Sequence, residues 1–134
     1  MQLAEMVQMN NSLQAIHMNN CELGAESLIA FATVLLTNKT LTQISLSNPR
    51  LTSLQGETVV HIASMLLVNR TLTYLDLSKN KIRDSHLEYL TDSLRRNDTL
   101  QILKLRGFVY ALEAALHSLF ILILATKSQR RVES

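Results

Sequence analysis

The chain has one cysteine, one proline, three glycines and no tryptophan in 134 residues. A lone Cys21 excludes an internal disulfide, and no cluster of metal-ligand residues accompanies it. So little Gly and Pro excludes long irregular loops and favours short elements joined by tight corners. Aromatic residues are 4% of the chain, so a core must be assembled from Leu, Ile, Val, Met and Ala. Thirteen basic and eleven acidic residues leave a net charge of +2, too balanced to mark a nucleic-acid surface. The opening MQLAEMVQMNNS lacks a basic segment leading into an apolar run, so no secretory leader is expected. With one cysteine, that places the chain in a reducing setting, cytoplasmic and/or nuclear.

What is present is a repeat. Leu13-Gln-Ala-Ile16-His-Met18 returns as Leu41-Thr-Gln-Ile44-Ser-Leu46, as Leu72-Thr-Tyr-Leu75-Asp-Leu77 and as Leu100-Gln-Ile-Leu103-Lys-Leu105. Each copy is preceded by an Asn-x-Ser/Thr triplet: Asn10 to Ser12, Asn38 to Thr40, Asn69 to Thr71 and Asn97 to Thr99. Four matches in one register set the units near 13, 41, 72 and 100. The last two apolar positions of each copy lie two apart, the period of a strand, and are expected to point into a core. Asn80 stands after the third strand, where a carboxamide can satisfy the backbone of a corner. Cys21 and Pro49 occupy that place in the first two units, Cys21 as an expected buried corner residue and Pro49 as a corner of different construction.

After each corner the spacing is helical. Leu28, Phe31, Ala32 and Leu35 stand at i, i+3, i+4 and i+7, as do Val59, Ile62, Ala63 and Leu66, and Leu87, Leu90, Thr91 and Leu94. Asp84 is placed to cap the third of these helices, and Glu26 and Glu57 lie near the starts of the others, where negative charge is favoured. Each unit is therefore strand, corner, helix, and must stack on its neighbours to bury its apolar faces.

This pattern resembles the ribonuclease-inhibitor class of leucine-rich repeats. The resemblance implies an α/β fold: a curved solenoid with parallel strands on the concave face and helices on the convex face, spanning 1–107. It also implies a non-catalytic protein–protein interaction scaffold that binds another protein on the concave surface. No small-molecule substrate, cofactor or metal is expected, nor direct contact with nucleic acid.

The ends differ from the middle. Residues 1–11 align with the second half of a helix, Leu3, Ala4 and Val7 matching Phe31, Ala32 and Leu35, so the chain reads as part of a longer solenoid. Residues 108–126 form an apolar C-terminal helix in this reading, and 127–134 a basic tail. Three readings of 108–126 stand open: a divergent helix covering the end of the stack, a non-native tail from altered splicing, and a membrane anchor of about the 20-residue bilayer length. In the third, the protein is a membrane-tethered repeat protein.

Candidate chemistry is sparse. His17, His61, His86 and His117 occupy non-equivalent places without metal-site spacing, and read as surface or packed imidazoles. Gly24, Gly56 and Gly107 are isolated, so no phosphate loop is formed. The Asn-x-Ser/Thr triplets read as structural, with Asn ending each helix in left-handed geometry, rather than as glycosylation sites. Outward strand positions remain: Ala15, His17 and Asn19; Gln43, Ser45 and Ser47; Tyr74, Asp76 and Ser78; Ile102, Lys104 and Arg106. Among them His17, Gln43, Tyr74, Asp76, Lys104 and Arg106 are the expected partner-binding residues, since aromatic and arginine side chains are frequent interface anchors.

Overall fold

The computed structural model describes residues 2–49, 56–80, 82, 84–105 and 131–133, with backbone alone at 56, 84, 85, 87 and 131–133. Helix and strand alternate along most of the chain: α1 Gln2–Met9, β1 Ala15–His17, α2 Ala25–Leu35, β2 Gln43–Ser45, α3 Gly56–Val68, β3 Tyr74–Asp76, α4 Asp84–Arg96, β4 Ile102–Lys104 and β5 Arg131–Glu133. The strands form one parallel sheet in sequence order. Ile16, Ile44, Leu75 and Leu103 are register partners from strand to strand. Their offsets of 28, 31 and 28 are the repeat spacings themselves, so the sequence period and the sheet register coincide. This is an α/β leucine-rich repeat solenoid, strands on one face and helices on the other.

Each strand is three residues long because the chain turns into its corner a few positions later. Ile16, Ile44, Leu75 and Leu103 point inward and are buried, with Met18, Leu46, Leu77 and Leu105 two positions on. The helices answer with Leu28, Phe31, Ala32 and Leu35, then Val59, Ile62, Ala63 and Leu66, then Leu90, Thr91 and Leu94, all buried as their spacing predicts. One continuous apolar core results, stacked along the solenoid axis. Helix packing extends it: α1 packs on α2, α2 on α3 and α3 on α4.

Helix starts agree in part with expectation. Glu26 and Glu57 stand in the first turns of α2 and α3. The N-cap of α2 is Gly24 in extended geometry, without a side-chain cap. Helix α4 begins at Asp84; its expected cap bond lies outside the described residues.

The ends bring two differences. In α1, Ala4 and Val7 are buried as aligned, but Leu3 is exposed because α2 covers only one side of this helix. Arg131–Glu133, expected within a basic tail, pair with β4 as a fifth parallel strand, Val132 beside Leu103. The expected apolar helix 108–126, with all three of its readings, lies outside the described residues. Among those described, no helix is long and apolar enough to cross a membrane.

Candidate protein-binding surface

The asparagines before the strands build the platform. Asn10, Asn38, Asn69 and Asn97 each accept two backbone N–H bonds through Oδ1, from the residues two and three positions on. The distances are 2.8 and 2.7 Å for Ser12 and Leu13, 3.0 and 2.9 Å for Thr40 and Leu41, 2.9 and 2.8 Å for Thr71 and Leu72, and 2.9 and 2.8 Å for Thr99 and Leu100. In the later units Nδ2 reaches the preceding one. Asn69 donates to the carbonyl of Leu35 at 2.8 Å, and Asn97 to that of Leu66 at 2.8 Å. Each of these two carboxamides thus closes its own turn and ties down the helix end of its neighbour.

This corrects the expectation that these asparagines end helices in left-handed geometry. Among the described non-glycine residues, the positive-φ positions are Asn20, Asn48 and Lys79, where the chain leaves the strand of each of the first three units. Left-handed geometry is needed there because the backbone reverses toward the helix, and a short carboxamide tolerates it best. Asn48 Nδ2 also donates to Asn20 Oδ1 at 2.7 Å. In the third corner Asn80 is buried and donates to the carbonyls of Leu46 and Ser78, at 2.9 and 3.1 Å. Cys21 holds the same place in the first unit but is exposed, contrary to expectation. Asn80 is covered by the corner of the second unit; no strand or corner precedes Cys21 among the described residues, only α1.

On this platform the outward strand residues form two rows in register. Ala15, Gln43, Tyr74 and Ile102 make one, and His17, Ser45, Asp76 and Lys104 the other. Adjacent members stand about 4.8 Å apart, the spacing of paired strands. His17 and Gln43 are exposed, while Tyr74, Asp76 and Lys104 are half-buried. Arg106 lies outside the described residues.

Two of the expected residues meet directly: Lys104 Nζ lies 5.7 Å from the centre of the Tyr74 ring, within cation–π range. Asp76 is held on its other side, Oδ1 accepting from the Ser78 N–H at 2.9 Å and Oδ2 lying 3.4 Å from Ser45 Oγ. Ser45 Oγ donates to Asn19 Oδ1, which also accepts from Ser47 Oγ at 2.8 Å. Ser45 is therefore 1% exposed although its strand position faces outward. Alternation marks the face a residue points to; the side chains beside it, on other units, settle how much water it meets. The same network ties Asn19 to Ser45 and Ser47 of the next unit, a linkage that spacing within one unit does not reveal.

Among the described residues no three His, Cys, Asp or Glu side chains stand close enough to hold a metal. His61 lies 4.0 Å from Glu57, one turn earlier on α3, on the opposite face of the molecule from the strands.

Comparison with known proteins agrees with the geometry. A family profile described as "Leucine Rich repeat" matches residues 10–32 and 68–90. No curated protein matches the sequence. Among solved structures, leiomodin-1 actin-binding site 2 superposes with a TM-score of 0.85 at 21% identity, covering 99% of this chain and 76% of that one. The tropomodulin C-terminal domain of Caenorhabditis elegans gives a TM-score of 0.49 at 12% identity, covering 93% of this chain and 95% of that one. Its period, its in-register parallel strands and the two matched units together give this chain the fold of a leucine-rich repeat solenoid.

Proposed function

We propose that the chain is a non-catalytic scaffold that binds another protein on the concave strand face. The observation that carries this is the pair of in-register rows, with Lys104 set over the Tyr74 ring and Asp76 held by the Ser78 N–H. A surface whose side chains are ordered before contact loses little rotamer freedom on binding. Segments Ile29 to Leu35, Asn48 to His61 and Tyr74 to Ile82 further support a place in the ribonuclease-inhibitor class, with resemblance to leucine-rich repeat-containing protein 34. A cytoplasmic or nuclear setting belongs to the same proposal.

The superposable leiomodin-1 structure is an actin-binding site, which makes actin the first partner to try. The test is co-sedimentation of the full chain with filamentous actin, alongside affinity capture of cellular partners. Tyr74→Ala combined with Asp76→Asn is the informative variant, because Asn keeps an acceptor for the Ser78 N–H while removing the charge. Loss of at least roughly tenfold in affinity, about 1.4 kcal/mol, with an unchanged melting temperature supports the concave face. Undiminished partner binding by the variant refutes it, and binding of a different protein but not actin refutes actin alone.

A further inference from the structure

A groove on the convex side lies between α3 and α4, away from the strand rows. Its volume is about 180 Å³, close to that of one large side chain, and Val60, Ala63, Leu67, Tyr89, Asp92 and Arg96 are among the residues lining it. Convex helix faces meet water, so their outer positions are expected to be polar. Here Tyr89 is 52% exposed and Leu67 is 37% exposed, at opposite walls of the groove. Tyr89 and Arg96 stand two turns apart on α4 and therefore share a face. They are two of the side-chain types that most often anchor interfaces.

The charge of the groove selects its occupant. Asp92, midway along the wall, is engaged by Arg95 at 3.8 Å. Arg96 makes no ion pair among the described residues and stands at the end of the apolar floor. An apolar slot with a guanidinium unmatched at its mouth complements a large apolar side chain carried next to a carboxylate. We infer that this groove docks an acidic segment of a partner protein, which inserts one large apolar side chain between α3 and α4 and sets a carboxylate on Arg96. The equivalent positions of α3 carry His61 and Val68, so the Tyr89 and Arg96 pair belongs to one unit and not to the repeat.

The minimal probe is 3-indolepropionate, an aromatic ring tethered to a carboxylate, compared with its neutral amide by NMR titration of the full chain. Saturable shifts are expected at Val60, Ala63, Leu67 and Tyr89 for both ligands, with the acid binding ~3-fold more tightly, the scale of one exposed charge contact. Arg96→Gln should bring the acid to the level of the amide and leave the amide unchanged. Ser64→Trp, at an exposed position of α3 on the groove wall, should fill the groove and abolish both. No shifts there, shifts scattered over the surface, or an acid preference that survives Arg96→Gln would each overturn the inference. So would concentration-dependent self-association that Ser64→Trp abolishes, because the occupant would then be a second copy of the chain.

Discussion

At the scale of single residues, the strongest determinants are carboxamides. Asn97 is 1% exposed and satisfies two backbone N–H groups and the carbonyl of Leu66 at once. Asn97→Ala leaves the N–H of buried Leu100 without its acceptor and removes the bonds to Thr99 and Leu66, an expected loss of about 2–3 kcal/mol. Asn10 accepts the same two bonds, but it is only half-buried and its Nδ2 has no acceptor among the described residues. Asn10→Ala should cost less than about 1 kcal/mol, since water can replace what is lost. Urea unfolding of the two variants checks the ordering, and equal losses would contradict it. Lys79 offers the opposite sign: it holds a φ of 56° where the two preceding units have Asn. Lys79→Asn should stabilise by roughly 0.5–1 kcal/mol, removing part of the left-handed penalty and standing beside Asn48. A melting temperature unchanged or lowered would show that the lysine makes a compensating contact.

At the scale of elements, helices and strands are held by one another more than by their own propensities. Strands of three residues cannot persist alone, and α2 has no side-chain cap at its start. What fixes them is the shared core, in which Leu66 of α3 is fully buried. Leu66→Ala is expected to destabilise by about 3 kcal/mol, through lost burial and the cavity left behind. Leu36, just after α2 and exposed, should tolerate Leu36→Ala within about 0.5 kcal/mol. Thermal denaturation of the pair tests whether the core, and not helix propensity, carries the difference.

At the scale of the whole molecule, stability is the sum of units and the contacts between neighbours. Helix α1 is eight residues long and packs on α2 alone among the described helices, whereas β2, β3, α2 and α3 have a neighbour on each side. Amide hydrogen exchange should therefore be fastest in α1 and slowest in β2, β3 and α3. Uniform protection along the chain would mean that the solenoid opens only as one unit. The concave rows and the convex groove lie on different faces, so partners at the two surfaces need not compete, and the variants at Tyr74 and Arg96 should act independently.

Much of the fold and half of the candidate site were legible in the amino-acid sequence, for a physical reason. The unit spacings of 28 and 31 residues, the inward leucines, the helix faces and the rows containing His17, Gln43, Tyr74, Asp76 and Lys104 are set by spacing within a unit. Local geometry fixes them: side chains alternate along a strand and return every third or fourth residue on a helix. The exposure of Cys21, the covering of Ser45 by Asn19 and Asp76, the burial of Asn69 and Asn97 but not Asn10, and the groove at Tyr89 and Arg96 were decided by the tertiary structure alone. Each depends on which side chain of an adjacent unit, one repeat away along the chain, stands alongside, and no period within one unit records that.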